Sequence, residues 1–315
     1  MAVVNINGRM CGEQDALISV FDHGFQFGDG VYEVVRTYDG HLFMVGPHLR
    51  RLRASAAMIA LDVPFTDEQL LARIHETREA FGGGEHYVRL VLTRGIGEFT
   101  YDPRACPAPT LVIIVKALPK QAADQYARGV KVALVSVTRN HPTSLDPRIK
   151  SINLLNNALA MQEALRHGGF EALMKNQKGE IVECSQSNFF LVKQGVVTTP
   201  PLDAGLLGGV TRAGALAVAV DLGLPVQERP LFEGDLDQLG VQVPVSEIGH
   251  GQGGEAVGGE GLGQPFIEAA VRAAEDDDAR EGAVPRRTIE EPIQPVLFEG
   301  NAYEGPVGHL INTAK

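Results

Sequence analysis

Alternating apolar and polar residues predict short strands in the first third of the chain. Residues 2–7 alternate in this way and end at Asn7-Gly8, a pair typical of hairpin turns. Residues 16–20 predict a second strand, and the glycine-rich residues 24–30 predict a constrained loop. Further β-rich runs predict strands at 31–38, 41–45, 86–94 and 110–116.

Apolar residues spaced three and four apart predict helices between these strands. Over residues 48–60, Leu49, Leu52 and Ala56 share one face, which indicates a helix packed on a core. A second helix is expected to begin at Thr66, where the sequence has the pattern of a capping box. Mixed helices and antiparallel strands predict a small N-terminal α+β domain over residues 1–118.

A second, larger domain is expected over residues 129–280, after a linker at 119–128. Apolar runs and amphipathic stretches predict strands at 130–137, 170–175, 181–183, 188–193 and 241–248. Helices are predicted after Lys150 to about 166, from an opening within 206–212 to about 222, and at 266–274. Residues 249–264 are rich in glycine and predict a loop. Residues 281–315 show no clear amphipathic period and are expected to form a partly ordered extension.

Composition narrows the class of protein. The 315 residues are 44% hydrophobic and 21% charged, which is ordinary for a globular chain. A formal charge of −11 disfavours binding to nucleic acids or anionic membranes. Three well-separated cysteines indicate neither a disulfide scaffold nor a zinc site, and no other motif predicts a metal. Without an apolar span or a secretory signal, the expected location is the cytoplasm.

Four polar features together indicate one cofactor. Lys150 stands at a loop-to-helix junction, and Glu183 ends a short apolar strand. Arg51 falls toward the buried side of its helix, and the amides of Gly209–Thr211 open another helix. Each feature alone has an ordinary structural explanation. Together they offer an amine for an aldehyde, a carboxylate for a ring nitrogen and two phosphate ligands, the handles of pyridoxal 5'-phosphate (PLP).

The segments around these residues resemble the class IV, or fold type IV, PLP-dependent aminotransferases. This family includes branched-chain aminotransferases, D-amino-acid aminotransferases and aminodeoxychorismate lyases. The resemblance covers residues 3–238 and includes the pattern His48-x-x-Arg51-Leu52-x-x-Ser55-Ala56. It implies cofactor contacts at the following positions: Arg51, Lys150, Glu183, Ser187, Asn188, Leu207, Gly209, Val210 and Thr211.

The resemblance also implies a fold and a mechanism. The expected fold has a small N-terminal α+β domain and a larger β-barrel-like domain with helices, and the expected assembly is a homodimer. Lys150 is expected to carry the cofactor as a Schiff base and then to act as general base. Glu183 is expected to keep the ring nitrogen protonated. An amino acid and a 2-oxo acid would then exchange an amino group by ping-pong kinetics.

Different segments give opposite indications about the substrate. Tyr87-Val88-Arg89 resembles the motif with which branched-chain enzymes hold the substrate carboxylate, and Phe99 and Tyr101 stand where D-amino-acid enzymes carry arginine and histidine. Residues 24–33 look more like the D-specific enzymes. A branched-chain or other apolar L-amino acid is favoured, with Phe27, Tyr32, Tyr87, Arg89 and Tyr101 as substrate contacts. D-amino-acid transamination and aminodeoxychorismate cleavage remain alternatives.

The chain departs from the family pattern after Gln238. There the family carries an apolar strand and a threonine-rich turn that completes the phosphate site, whereas this chain passes from Leu239-Gly240 into Val241–Val245. If residues 241–286 are an insertion, Thr288 could substitute for the missing threonine. A PLP-binding but weakly active or non-catalytic relative is therefore a further alternative.

Overall fold

The structure, a computed structural model, divides into two compact units. The first unit comprises Met1–Lys120 with Ile149–Leu154, and the second comprises Gln121–Arg148 with Leu155–Lys315. The segment around Lys150 therefore groups with the first unit. The described residues are 2–119 and 129–237, with the strand backbones of 297–298, 310–311 and 313–314.

The first unit is built on a six-stranded antiparallel sheet with strand order β2-β1-β6-β5-β3-β4. Its strands are β1 (Ala2–Ile6), β2 (Arg9–Gly12), β3 (Gly30–Tyr38), β4 (His41–Leu42), β5 (His86–Thr93) and β6 (Thr110–Ala117). Its helices are α1 (His23–Phe27), α2 (Val45–Met58) and α3 (Asp67–Phe81).

Side-chain alternation decides which face of this sheet is covered. Val31 and Val35 of β3 point to the same side and join a buried apolar core with Leu52 of α2 and Ile74 of α3. Tyr32 alternates with these residues and points to the opposite face. The strand period thus buries one face under helices and leaves polar side chains on the other.

Two local predictions in this unit are wrong. The second strand lies at Arg9–Gly12 rather than at 16–20, because Asn7 and Gly8 both take positive φ angles and turn the chain back at once. Leu17, at 75% exposure, has no sheet to pack on. The predicted loop at 24–30 contains the short helix α1, which Asp22 caps by accepting a hydrogen bond from the Gly24 N–H at 2.8 Å.

The second unit contains two sheets of three or more strands. The larger has the order β16-β10-β9-β8-β7, the smaller has the order β11-β12-β13, and β14 pairs with β15. The strands are β7 (Val132–Leu134), β8 (Glu171–Lys175), β9 (Ile181–Cys184), β10 (Ser187–Asn188), β11 (Leu191–Lys193), β12 (Val196–Thr199), β13 (Val226–Glu228), β14 (Leu297–Phe298), β15 (Leu310–Ile311) and β16 (Thr313–Ala314). The helices are α4 (Leu155–Arg166), α5 (Val210–Asp221) and α6 (Glu233–Asp237).

Small side chains set how closely helix and sheet pack in this unit. Ala160 and Ala164 of α4 are fully buried against Ala172 and Met174 of β8. The predicted α+β class is confirmed by mixed helices and sheets in both units. Among the described strands both sheets are open, and no closed barrel forms. None of the helices in the described ranges has the length and apolar character that crossing a bilayer requires.

Several predictions concern residues outside the described part of the chain. They are most of the linker at 119–128, the strand at 241–248, the loop at 249–264, the helix at 266–274 and Thr288. Within the predicted extension at 281–315, only the backbones of β14, β15 and β16 are described. The domain boundaries at residues 118 and 280 stay predictions.

Candidate active site

Lys150 is held in the first unit by hydrogen bonds on both sides of its own Cα. Its N–H donates to the Ser55 hydroxyl oxygen at 3.0 Å, and its carbonyl accepts from the Tyr32 N–H at 2.9 Å. Ile152 continues the pairing by donating to the Gly30 carbonyl at 3.0 Å. The lysine segment is therefore attached along the start of β3 although it lies far from that strand in sequence. Only 3% of Lys150 is exposed.

The Tyr32 ring is the common neighbour of two cations in this unit. Lys150 Nζ lies 4.5 Å from the ring centroid, and the Arg89 guanidinium carbon lies 4.2 Å from it. Burial raises the pKa of the Tyr32 phenol, and Arg89 offsets part of that rise. Tyr87 lies two residues before Arg89 on β5 and thus on the same face of the sheet. The predicted substrate residues Tyr32, Tyr87 and Arg89 are brought together on this face.

Phe27 and Tyr101, the other two predicted substrate residues, form a separate pair in the first unit. Their ring centroids are 5.0 Å apart, with Phe27 at the end of α1 and Tyr101 in the loop after β5. Tyr101 is 88% exposed, so this pair is a surface feature of the unit. The hydrogen bond between the His23 ring and the Glu98 carbonyl, at 2.8 Å, fixes α1 against the same loop.

Arg51 is bound to a carboxylate to which the sequence analysis gave no role. Its guanidinium donates two hydrogen bonds to Glu33 of β3, at 2.6 and 2.8 Å, and His48 Nδ1 adds a third at 2.7 Å. The side chain of Glu33 is fully buried. Burial alone would raise the pKa of Glu33, but the hydrogen bonds from Arg51 and His48 lower it to about 2. The anionic partner that a buried arginine requires is thus present within the unit.

We expect this cluster to make the first unit sensitive to acid. Because the pKa of Glu33 is lowered from 4.5 to about 2, its stabilisation is complete above pH 4.5 and is lost as the pH falls toward 2. The shift corresponds to about 3 kcal/mol of unfolding free energy. Glu33→Gln should be less stable than the wild type at pH 7, and the difference should shrink by pH 3. Urea midpoints at the two pH values measure this.

Glu76→Gln is the matched control for this measurement. Glu76 lies in the same unit, in α3, and its side chain is exposed, so its replacement should leave the pH dependence of the urea midpoint unchanged. A Glu33→Gln protein whose deficit is as large at pH 3 as at pH 7 would contradict the assignment.

Glu183 is the centre of a buried polar cluster in the second unit. The residue is 0% exposed, and Arg139 donates to its Oε1 at 2.7 Å. The Leu207 N–H donates to its Oε2 at 2.9 Å. Arg139 also donates to the Asn156 side chain of α4 at 3.0 Å and is 7% exposed. Paired with Arg139 and bonded by the Leu207 N–H, the Glu183 carboxylate has a fixed orientation in a buried site.

The Leu207 peptide connects Glu183 to the glycine loop that follows. The Leu207 N–H binds Glu183, and the Leu207 carbonyl accepts from the Asn188 side chain at 2.9 Å. Asn188 lies directly opposite Glu183 in the β9–β10 pair, so both residues reach Leu207 from one ladder position. A Cβ on Gly209 would come within 2.0 Å of Asn188 Oδ1, which explains the glycine at this position.

The N-terminus of α5 follows directly on this loop. Gly209 is its N-cap in an extended conformation, and as a glycine it has no side chain with which to cap the helix. Val210 and Thr211 are the first two residues of the helix, which begins within the segment 206–212 that was predicted to open it. First-turn amides and the helix dipole favour an anion at such a position.

Ser187 bonds to a carboxylate that the sequence analysis did not single out. Its hydroxyl donates to Glu171 of β8 at 3.0 Å, and the Gln186 N–H donates to the same carboxylate at 2.5 Å. Glu171 therefore fixes the turn between β9 and β10, which carry Glu183 and Asn188. A role of Ser187 toward the cofactor stays a prediction.

Four buried partners of the predicted residues were given no role from the sequence: Glu33, Ser55, Arg139 and Glu171. Ser55 gave a usable signal, since it is a polar residue on the apolar face of a helix. Glu33 gave a similar signal, because it lies between Val31 and Val35 on the core-facing side of β3. Arg139 gave none, because a lone arginine after a short strand is usually solvated.

Comparisons with known proteins agree on one family. The model of the family described as "Amino-transferase class IV" matches residues 30–239. A "Putative branched-chain-amino-acid aminotransferase" of Methanocaldococcus jannaschii is 39% identical over 248 residues, which are 78% of this chain and 85% of that protein. A D-alanine aminotransferase of Listeria monocytogenes serotype 4b is 33% identical, with 86% of this chain and 96% of that protein covered.

Solved structures add a fold comparison. The crystal structure of a branched-chain aminotransferase from the thermophilic archaeon Thermoproteus uzoniensis, with norvaline, is similar to this chain with a TM-score of 0.74 and 28% identity. That match covers 88% of this chain and 97% of the archaeal one. A crystal structure of another branched-chain amino acid aminotransferase, with pyridoxamine 5'-phosphate, is similar with a TM-score of 0.71 and 26% identity, and the match covers 76% of this chain and 79% of that one.

Proposed function

This chain belongs to the class IV aminotransferases, and from that premise we propose that it moves an amino group from branched-chain or other apolar L-amino acids to a 2-oxo acid. Membership makes the protein a PLP-dependent transaminase. The substrate class, the role of each residue, the assembly and the location are parts of the proposal.

The donor groups of both units fit PLP. The first unit offers the primary amine of Lys150, buried and aligned by its backbone. The second offers the anchored Glu183 carboxylate and a helix N-terminus opened by Gly209. An amine, a carboxylate and an anion site are the groups that an aldehyde, a ring nitrogen and a phosphate require. When bound, PLP supplies an electron-withdrawing ring that stabilises negative charge on a substrate's Cα.

In the first unit, Lys150 would bind the cofactor through its amine and, once displaced by substrate, carry a proton to and from the substrate's Cα. The backbone bonds from Ser55 and Tyr32 leave this side chain only its own torsions to rotate. Arg51 would bind phosphate with the side of its guanidinium turned away from Glu33. Glu33 holds the orientation of that guanidinium.

In the second unit, Glu183 would keep the cofactor's ring nitrogen protonated, with Leu207 packed on the ring. The amides of Val210 and Thr211 would bind phosphate at the start of α5. Asn188 would act by holding Leu207 and Gly209 in place, since its amide already bonds the Leu207 carbonyl. Because Glu183 and Asn188 share one ladder position, the carboxylate that would bind the ring nitrogen and the loop that would bind the phosphate lie at a fixed separation in this unit.

The observation that carries the substrate proposal is the stacking of Arg89 on Tyr32, with Lys150 over the same ring. It supports the proposal, because Arg89, a cation that would bind a substrate carboxylate, lies over the same ring as the amine of Lys150. Phe27 and Tyr101 offer aromatic surface for an apolar side chain. D-amino-acid transamination is the second candidate, supported by the D-alanine aminotransferases among the relatives.

Initial rates with L-leucine and D-alanine, each with 2-oxoglutarate, test this proposal. We expect kcat/KM for L-leucine to exceed that for D-alanine by at least about tenfold. Arg89→Gln should lower kcat/KM for L-leucine by about 10- to 100-fold, because a charged hydrogen bond to the carboxylate is lost. Arg104→Gln, a change to an exposed arginine of the same unit, is the control. Turnover of D-alanine but not L-leucine would contradict the proposal.

We also propose a homodimer in the cytoplasm. In the first unit, Phe21 and Phe99 are exposed and packed together at 5.5 Å, and Tyr101 is exposed in the same loop. A cluster of exposed aromatic side chains is typical of an interface. The three cysteines are all free thiols, which supports a reducing compartment. Sedimentation at micromolar concentration should give twice the mass of one chain, and a monomer would refute the assembly.

A further inference from the structure

A buried serine on α2 bonds to the lysine segment. Ser55 is 1% exposed and lies on the helix face that carries the apolar core residues Leu52 and Ala56. A buried hydroxyl is expected to have a hydrogen-bond partner, because burying a polar group without one is costly. The partner is the Lys150 N–H, which donates to Ser55 Oγ at 3.0 Å.

The same face of α2 also bonds to β3, one turn and two turns before Ser55. Arg51 and His48, four and seven residues before Ser55, both bond Glu33. Tyr32, next to Glu33, bonds the Lys150 carbonyl through its N–H at 2.9 Å. One face of α2 thus anchors the strand on which Lys150 rests and also the N–H side of Lys150 itself.

We propose that Ser55 is a positioning residue that fixes the backbone orientation of Lys150, and through it the direction of the lysine amine. This inference rests on the proposed role of Lys150. With the N–H held by Ser55 and the carbonyl held by Tyr32, the peptide groups on both sides of the Lys150 Cα are fixed. Losing the Ser55 bond frees rotation on the N–H side and spreads the amine over several positions. A misplacement of about 1 Å is enough to cost up to 10²-fold in rate.

Three variants test this role. Ser55→Ala removes only the acceptor oxygen, Ser55→Thr keeps it, and Ser55→Cys keeps the volume with a weaker acceptor. Thr77→Val is the matched control, because Thr77 is fully buried in α3 of the same unit and its hydroxyl donates to the Arg73 carbonyl of its own helix. Each variant is checked for folding by circular dichroism before use.

Two readouts separate positioning from stability. In Ser55→Ala we expect kcat to fall about 10- to 100-fold with KM changed far less, and we expect PLP added to the apoprotein to attach to Lys150 more slowly by a similar factor. Ser55→Thr should restore both quantities. Thr77→Val should lower the melting temperature without changing either.

The proposal fails if Ser55→Ala keeps the wild-type kcat and attachment rate, or if Thr77→Val loses as much of both. If Ser55→Ala does not fold, Ser55→Cys decides in its place, and wild-type behaviour there refutes the role. Failure of the wild-type protein to attach PLP at Lys150 would instead refute the proposed function, so the two failures are distinct.

Discussion

Lys150→Ala is expected to abolish transamination while leaving the fold intact. The rate should fall by at least about 10²- to 10⁴-fold, the contribution of a general acid–base residue, with a further loss because the covalent link to PLP is gone. The fold should persist because Lys150 is attached through its backbone N–H and carbonyl, which alanine retains. Single-turnover absorbance changes with L-leucine and a thermal melt measure the two effects.

Lys116→Ala is the control for Lys150→Ala. Lys116 is an exposed lysine of β6 in the same unit, and no role toward the cofactor is proposed for it. Its replacement should leave turnover unchanged. An active Lys150→Ala protein, or an equal loss in Lys116→Ala, would contradict the role given to Lys150.

Glu183→Gln is expected to have the second largest effect. Glutamine has one acceptor oxygen, so it can replace the carboxylate toward either Arg139 or the Leu207 N–H but not toward both, and it carries no charge to hold a ring nitrogen protonated. Turnover should fall by about 10²- to 10³-fold, the range seen when a preorganised electrostatic group is removed. Stability should also fall, by about 3–5 kcal/mol, since Arg139 loses the carboxylate that it pairs with in the interior.

Glu163→Gln is the control that shows which part of the Glu183→Gln effect is electrostatic. Glu163 is another buried carboxylate of the second unit, and it accepts bonds from Ser136 at 2.6 and 2.9 Å. Glu163→Gln should destabilise the protein while changing the PLP absorbance spectrum little. Glu183→Gln should alter that spectrum. A Glu183→Gln enzyme with wild-type spectrum and turnover would refute the assignment.

Most helices and strands could be predicted from periodicity and local signals. The capping box at Thr66 is formed, and α5 begins at Val210, within the segment 206–212 that was predicted to open a helix. The sequence failed where a local pattern had two readings. Residues 16–20 have strand-like composition, but the tight Asn7-Gly8 turn had already given β1 its partner at Arg9–Gly12. The glycine-rich residues 24–30 were predicted to be a loop, because the five-residue helix α1 is too short to show a helical period.

The candidate site divides into residues that chemistry could identify and residues that only the fold could. Lys150 and Glu183 were identifiable because their side chains match reactive groups of one cofactor. The partners of Ser55 and Arg139 were not, because they depend on contacts between distant parts of the chain. Ser55 bonds a residue 95 positions later, and Arg139 bonds one 44 positions later.

The most direct test of the central claim is the site of PLP attachment. Purified protein incubated with PLP and reduced with borohydride should gain one pyridoxyl phosphate per chain, and peptide mass spectrometry should place it on Lys150. The Lys150→Ala protein should gain none. Modification of other lysines with Lys150 unlabelled, or no stable modification at all, would contradict the assignment of Lys150 as the residue that binds the cofactor.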